Sequence, residues 1–390
     1  MSAALDGLIG NSASAIDTPA LVVDLDNMER NLQTMAAFAA KHQVMLRPHA
    51  KMHKSAELAK LQMAAGAVGV CVQKTSEAEA LSAAGVHDIF ISNEVIAPAK
   101  LARVAALTRV LAPLGGQLAM CVDSIQGIQR LAASMDEGRL SSGIMSSIDV
   151  FVELDVGQNR CGVQPGPAVV ALALEIQKHP ALNFAGLQAY HGKAQHLRSA
   201  IDRQNAISDA IQSVRHTRAL IEDAGIKVGL VTGAGTGTAP LEAASNLYGE
   251  LQPGSYLFMD ADYAANEQAI DQPQFGHALF VKTQVISVHA GHVVCDAGHK
   301  SHAIDSGLPK VHALGNHCAL DYSNGGDEHG ILKPAAGSTH LPSLGSMLWL
   351  IPGHCDPTVN LHNEMIGVRG GLLEGVVERI ITVDARGCLT

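Results

Sequence analysis

Hydrophobic and polar positions change rhythm once along this chain. Up to about residue 252, apolar runs at 20–23, 43–46, 68–72, 89–92, 118–122, 150–154, 184–189, 230–232 and 251–252 alternate with alanine-rich stretches. Apolar residues in those stretches recur three and four apart, as on a helix with one buried face. The first helix carries Met28, Leu32, Met35 and Ala39 on that face, and Asp26 with Glu29 resembles a capping box at its start. Another helix start is expected at Ser55-Ala56-Glu57-Leu58. Strand and helix in regular succession predict a parallel sheet. Nine apolar runs are one more than an eight-stranded barrel takes, so one strand belongs elsewhere.

After about residue 272 the helical spacing fades. Runs at 278–285, 292–296, 347–351, 365–369 and 380–383, separated by glycine-rich turns, predict an antiparallel β-domain. The expected organisation is an N-terminal tail and strand over 1–26, a βα barrel over 27–270 and a β-domain over 271–390.

Composition narrows the class. Hydrophobic residues make up 47% of the chain and aromatics 3%, so the cores are aliphatic. A net charge of −10 without long runs of one sign gives no reason to expect nucleic acid or a membrane surface as partner. The seven cysteines show no C-x-x-C pair, and no stretch has the length of a membrane span or the layout of a leader peptide. A cytoplasmic enzyme of small molecules is the expectation.

Candidate chemistry gathers at the ends of the apolar runs. Arg47-Pro48-His49-Ala50-Lys51-Met52-His53-Lys54 follows one such run, at the strand end where βα folds bind ligands. A lysine near other cations or desolvated there has a lowered pKa and can form a Schiff base with an aldehyde; taken alone, the stretch reads rather as a solvated basic loop. Asp155-Val156-Gly157-Gln158-Asn159-Arg160 and Gln188-Ala189-Tyr190-His191-Gly192 end two further strands. Gly233-Ala234-Gly235-Thr236-Gly237-Thr238 could bring backbone N–H groups and hydroxyls to a phosphate. In isolation Arg160 is a surface ion-pair residue and His191 a core histidine. Falling together at one end of a barrel, these residues point to a site. In Pro352-Gly353-His354-Cys355-Asp356-Pro357, His354 and Asp356 stand at i and i+2 of an extended segment and face one way, a pair suited to a divalent ion. Asp327-Glu328-His329-Gly330 offers further metal ligands, a substrate-binding edge or an ordinary solvated turn.

These motifs, with Asp17-Thr18-Pro19-Ala20-Leu21, Gln73-Lys74-Thr75-Ser76-Glu77-Ala78, Ile91-Ser92-Asn93-Glu94-Val95 and Tyr256-Leu257-Phe258-Met259-Asp260, resemble the D-threonine aldolase family and its 3-hydroxy-D-aspartate aldolase relatives. The likeness runs in order from about residue 17 to the carboxyl end. It implies a (β/α)8 barrel of the alanine racemase type holding pyridoxal 5′-phosphate, a following β-domain that the first strand joins, and a homodimer. It implies Lys51 as the cofactor lysine, with Lys54 a nearby competitor. Arg160 falls to the cofactor's phenolic oxygen, His191 to the ring and substrate, Tyr190 to the cofactor, and Gly235, Thr236 and Tyr256 to the phosphate. Gln252 stands where racemases put an arginine on the pyridine nitrogen, which argues against racemase chemistry. His354 and Asp356 match the aldolase metal pair, for Mn2+ or Mg2+, where the related dehydratases carry a cysteine second. The implied reaction is cleavage of a β-hydroxy-D-amino acid to glycine and an aldehyde, with His191 or a metal-bound water taking the hydroxyl proton. The alternatives are a metal-dependent dehydratase and a non-catalytic pyridoxal-phosphate-binding protein.

Overall fold

The computed structural model describes residues 5–269, 272–312 and 319–390. Its first strand, β1 (Ala20–Asp24), precedes eight parallel strands: β2 (Met45–Leu46), β3 (Val70–Val72), β4 (Asp88–Glu94), β5 (Gln117–Val122), β6 (Ile148–Glu153), β7 (Leu182–Ala189), β8 (Leu230–Gly233) and β9 (Glu250–Leu251). These strands lie side by side in chain order, and β9 returns to pair with β2. The sheet closes between β2 and β3, where Val68 N–H donates to Leu46 O and Cys71 N–H to Pro48 O, each at 2.8 Å. Side chains alternate across this wall. Val70, Val72, Ile89, Ile91, Val150 and Val152 pack outward into the main core with the helices, while Cys71, Phe90, Cys121 and Phe151 form a separate small cluster. Burial on both faces makes each strand a short unbroken apolar run, the signal read in the sequence.

The ninth run is β1, and it lies outside the barrel. It pairs antiparallel with β10 (Leu279–Val288) and parallel with β16 (Glu364–Arg369). That second sheet also contains β11 (Val293–Cys295), β12 (Lys310–Val311), β13 (Leu320–Asn324), β14 (Gly330–Pro334), β15 (Met347–Ile351) and β17 (Val376–Thr382), with order β13-β14-β11-β10-β1-β16-β17 and β15 between β10 and β12. Except for β1 with β16, its pairings are antiparallel. Strands β12, β13 and β14 had no counterpart in the sequence reading. The tip between β13 and β14 holds Asp327 and Glu328, paired with His299 and Lys300 at 2.7–3.4 Å on half-exposed side chains, a solvated turn. Ile270 and Asp271, at the expected domain boundary, lie outside the described residues. Among the described residues no helix is long and apolar enough to cross a membrane.

Two helix starts differ from expectation. The helix Leu25–His42 is capped by Asp24, whose carboxylate accepts from Asn27 N–H at 3.0 Å. Asp26 and Glu29 instead receive Arg369 of β16, at 3.0 and 2.6 Å, and so tie the barrel to the second sheet. Ser55 makes no side-chain cap for the helix Ala56–Ala64. Asp384 supplies the carboxylate, accepting from Ala56 N–H at 2.7 Å.

Candidate active site

The segment after β2 separates its two lysines. His49 runs extended into the single 3-10 turn Ala50–Met52 and its Nδ1 accepts from Lys51 N–H at 3.4 Å. Lys54 then takes a left-handed conformation, φ 52°, and turns inward. Its Nζ lies 3.2 Å from Glu77 Oε1 and donates to Asn360 Oδ1 at 2.9 Å, on a side chain only 7% exposed. Lys51, 41% exposed, opens instead into a cavity of about 90 Å³ at the carboxyl end of the barrel strands. There its Nζ stands 3.2 Å from Asp356 Oδ2. That carboxylate raises the Lys51 pKa by more than burial lowers it. The expected depression by neighbouring cations is therefore not what this site does: the closest charge to the amine is negative.

Asp356 arrives from the other sheet. After β15, Pro352 and Gly353 accept N–H bonds from Ala261 and Asp262 through their carbonyls at 3.0 and 3.2 Å, joining this loop to the chain that leaves the barrel. A side chain at Gly353 would put its Cβ 2.1 Å from Gly307 O, so only glycine fits. The backbone is extended at His354 but turns into the short helix Cys355–Val359 immediately afterwards. The uninterrupted extended segment expected for His354 and Asp356 is absent; Pro357 sits in a helical first turn, where its missing N–H has no partner to lose. The two side chains nevertheless converge, with His354 Nε2 3.7 Å from Asp356 Oδ1. Buried Asp260 holds the other ring nitrogen, Nδ1, at 2.8 Å and also accepts from Cys355 N–H at 3.0 Å. Burial alone would depress the His354 pKa, but Asp260 and Asp356 together push it up to about 9. Asp356 is held below the usual carboxylate range by Lys51 and His354 despite its burial.

Gly235, Thr236, Ala234, Gly254 and Ser255 line the same cavity. A Cβ on Gly235 would fall 2.5 Å from Gln195 Oε1, which accepts from Gly237 N–H and shapes the turn. Gln252 and Gln188 form a reciprocal amide pair at 2.8 and 3.0 Å, and Gln252 also donates to Thr232 Oγ1 at 2.8 Å. Arg160 and Tyr190 line the same cavity, with the guanidinium carbon 5.8 Å from the ring centroid. Two expected residues sit apart from it. The Tyr256 hydroxyl accepts from Gln62 at 3.0 Å, and only its backbone N–H reaches the turn, donating to Thr236 Oγ1. His191 is buried against Gly157, outside the cavity lining.

His196 lines the cavity in its place, with Nδ1 2.6 Å from Asp262 Oδ2. His49, Gln73 and Ser92, which stand in the quoted motifs without an assigned role, and Tyr263, which stands in none, also contribute to the wall. The only signal for His196 in the sequence was its place four residues past the motif that ended at Gly192; the structure puts it on the 3-10 turn Lys193–His196.

Similarity to known proteins follows the same division. Residues 23–262 match the model of the alanine racemase N-terminal domain and 278–368 that of a putative serine dehydratase domain. A D-threonine aldolase of Arthrobacter sp is 44% identical over 97% of this chain and 95% of its own length. A 3-hydroxy-D-aspartate aldolase of Paracoccus denitrificans (strain Pd 1222) is 41% identical over 98% and 95%. The crystal structure of D-threonine aldolase from Filomicrobium marinum superposes with a TM-score of 0.91 at 44% identity, covering 98% and 99% of the two chains. The chain belongs to the D-threonine aldolase family. A D-threo-3-hydroxyaspartate dehydratase of Delftia sp. (strain HT23) is more distant, at 30% identity over 88% of this chain and 92% of its own.

Membership in the D-threonine aldolase family directs attention to a cation and a phosphate ester, and the His354–Asp356 pair suits the cation. Asp356 Oδ1 is buried without a hydrogen-bond partner and faces His354 Nε2, an arrangement completed by a cation or a proton. Among the described residues no cluster of three or more histidine, cysteine, aspartate or glutamate side chains could hold a metal, so a bound ion would take its remaining ligands from water or substrate. A larger groove of about 660 Å³ lies at the amino ends of β5–β7, lined by Gln117, Met135, Arg139 and Asn183. Volume therefore does not pick out the site; convergent chemistry does.

Proposed function

We propose that this chain is a pyridoxal-phosphate- and divalent-metal-dependent lyase that cleaves β-hydroxy-D-amino acids, such as D-threonine and 3-hydroxy-D-aspartate, to glycine and an aldehyde. It works as a cytoplasmic homodimer with Mn2+ or Mg2+. The observation that carries this reading is the 3.2 Å approach of Lys51 to Asp356, which joins the amine of the barrel to the His354–Asp356 pair of the second sheet in one cavity. Relatives named as aldolases at 41–44% identity support the reaction type.

Lys51 would carry the cofactor, the turn Ala234–Gly235–Thr236 with Ser255 its phosphate, Arg160 its phenolic oxygen, and the Gln188–Gln252 amide pair the ring nitrogen. Tyr190 backs Arg160. Tyr256 acts on the phosphate only indirectly, by fixing Thr236. When bound, the cofactor supplies an electron sink for the breaking Cα–Cβ bond and the metal ion a Lewis acid for the β-oxygen. His354 and Asp356 would hold that ion, oriented by Asp260. His196 is the base of this reading: Asp262 occupies Nδ1, which leaves Nε2 to take the β-hydroxyl proton. His191, which the sequence offered as base alongside a metal-bound water, lies buried against Gly157, outside the cavity lining. Because the lysine and the metal pair approach from different sheets, one α-configuration brings the hydroxyl to the ion. This is the geometric source of D selectivity.

Product analysis on D-threonine tests the reading: glycine and acetaldehyde are expected, with L-threonine inert. Ammonia and 2-oxobutanoate as main products would move the chain to the dehydratases.

A further inference from the structure

Glu94 ends β4, Asp123 follows β5 and Glu153 ends β6, all on the side where Arg160 enters the cavity. Asp123 has a donor, Gly162 N–H at 3.3 Å. Glu94 has no N–H or O–H donor: both of its oxygens are buried, and its carboxyl lies within reach of only the Glu153 carboxyl and the Cys161 thiol, a weak donor. Arg160 is the cation facing them, yet its Nη2 stays 3.9 Å from Glu153 Oε1, beyond a direct hydrogen bond. Two ionised carboxylates are acceptors only, so a pair packed together out of water needs a proton between them.

We propose that Glu94 and Glu153 share one proton and, as a monoanion, position Arg160 at the cavity wall. The positioning rests on the reading of Arg160 as a contact to pyridoxal phosphate; the shared proton does not. One negative charge balances the guanidinium loosely and leaves it facing the cavity. Loss of the proton would double the charge behind Arg160 and draw it onto the pair, away from the cavity. The groups facing the pair favour keeping the proton. Asp123 adds negative charge, and the Cys121 and Cys161 thiols are kept neutral, by burial first and then by the carboxylates. Burial and Glu94 together push Glu153 up to about 8, which puts the loss at mildly alkaline pH. Glu94 and Glu153 touch neither metal nor substrate in this arrangement; they act through Arg160.

Infrared spectroscopy of the full-length, cofactor-loaded protein tests the proton directly. At neutral pH a carbonyl stretch of a protonated carboxylic acid should be present that Glu94→Gln removes and that also disappears above pH 8. Buried Glu242, itself pushed up to about 7, contributes a separate component, which Glu242→Gln identifies. Equilibrium dialysis of pyridoxal phosphate tests the positioning. Wild type should hold the cofactor about tenfold more weakly above the titration than below it, the worth of one charge-assisted hydrogen bond. In Glu94→Gln an amide N–H replaces the shared proton, and the alkaline loss should vanish while neutral affinity stays. A merely structural role would lower stability and leave this pH dependence unmoved. Should Glu94→Gln fail to fold, Glu153→Gln makes the same comparison. Absence of a carboxyl component assigned to the pair, or an alkaline loss unchanged in the glutamine variants, overturns the proposal. The expected infrared component with no cofactor bound at any pH would leave the proton standing and remove the positioning together with the reading of the cavity.

Discussion

The two mouths of the barrel both bury charge, and they treat it in opposite ways. At the amino end Arg47 bridges Asp88 and Glu250, and Glu250 also accepts from Thr232 at 2.7 Å, so each buried group is matched. At the carboxyl end Asp356 Oδ1 and both Glu94 oxygens are buried without partners. A buried polar atom left open is destabilising, and a fold keeps it where something else completes it. In the proposed reading the closed network belongs to stability and the open one to chemistry.

The sharpest way to break that comparison is at Lys51. Lys51→Ala should abolish turnover, a loss above about 10⁴-fold, and remove the cofactor's visible absorbance, whereas Lys54→Ala should keep that absorbance because Lys54 points at Glu77 and Asn360. Borohydride trapping on Lys54 would falsify the assignment. Next in size, Asp356→Ala or exhaustive chelation should lower turnover about 10³-fold with the cofactor's absorbance retained, and added Mn2+ or Mg2+ should restore only the chelated wild type. Full activity without metal would take the ion out of the reaction. His196→Gln should reduce kcat about 10²-fold with little change in stability, and His191→Gln should do less; the reverse order would return the role of base to His191.

At the closed mouth the effect should fall on folding alone. Arg47→Met leaves Asp88 and Glu250 without their cation and should destabilise by about 3 kcal/mol in urea unfolding, with kcat per folded molecule unchanged. Glu242 gives the smallest effect. Burial pushes its pKa up to about 7, above the unfolded value, although Thr238 donates to Oε1 at 2.8 Å. The folded state therefore holds a proton that the unfolded state has lost, and stability should fall as pH rises from about 4.5 to about 7. Glu242→Gln should flatten that stretch and add about 2 kcal/mol above it, as read from urea midpoints across pH.

Legibility in the sequence followed the locality of the signal. Barrel strands such as Val70–Val72 are buried on both sides and announce themselves in a few residues. Strands β13 and β14 do not: Asp321, Ser323 and Asn324 face solvent, and β14 is bounded by Gly330 and Pro334, so their register is set by pairing across the sheet. The site shows the same split. Lys51, Arg160, Gln252, His354 and Asp356 could be placed by strand ends and motifs, and all line the cavity. His196 becomes a candidate only once Asp262 is seen beside it, a neighbour 66 positions along the chain. The placement of the Tyr256 hydroxyl was hidden for the same reason: it meets Gln62, on a helix far earlier in the sequence. The His354–Asp356 convergence was anticipated from an extended backbone, and a helix start delivers it instead.

The position of β1 constrains how this protein can be recombined. Lys282 of β10 faces Ala20, and Ile366 of β16 faces Val22, so the sheet that carries His354 and Asp356 into the cavity has an early strand at its centre. Grafting residues 278–390 from a relative onto this barrel would bring β10 and β16 against a foreign partner, and removing β1 would open two sheet edges to aggregation. A chimera that exchanges the His354–Asp356 side of the cavity must therefore carry Ala20–Asp24 with it, as a discontinuous unit of inheritance.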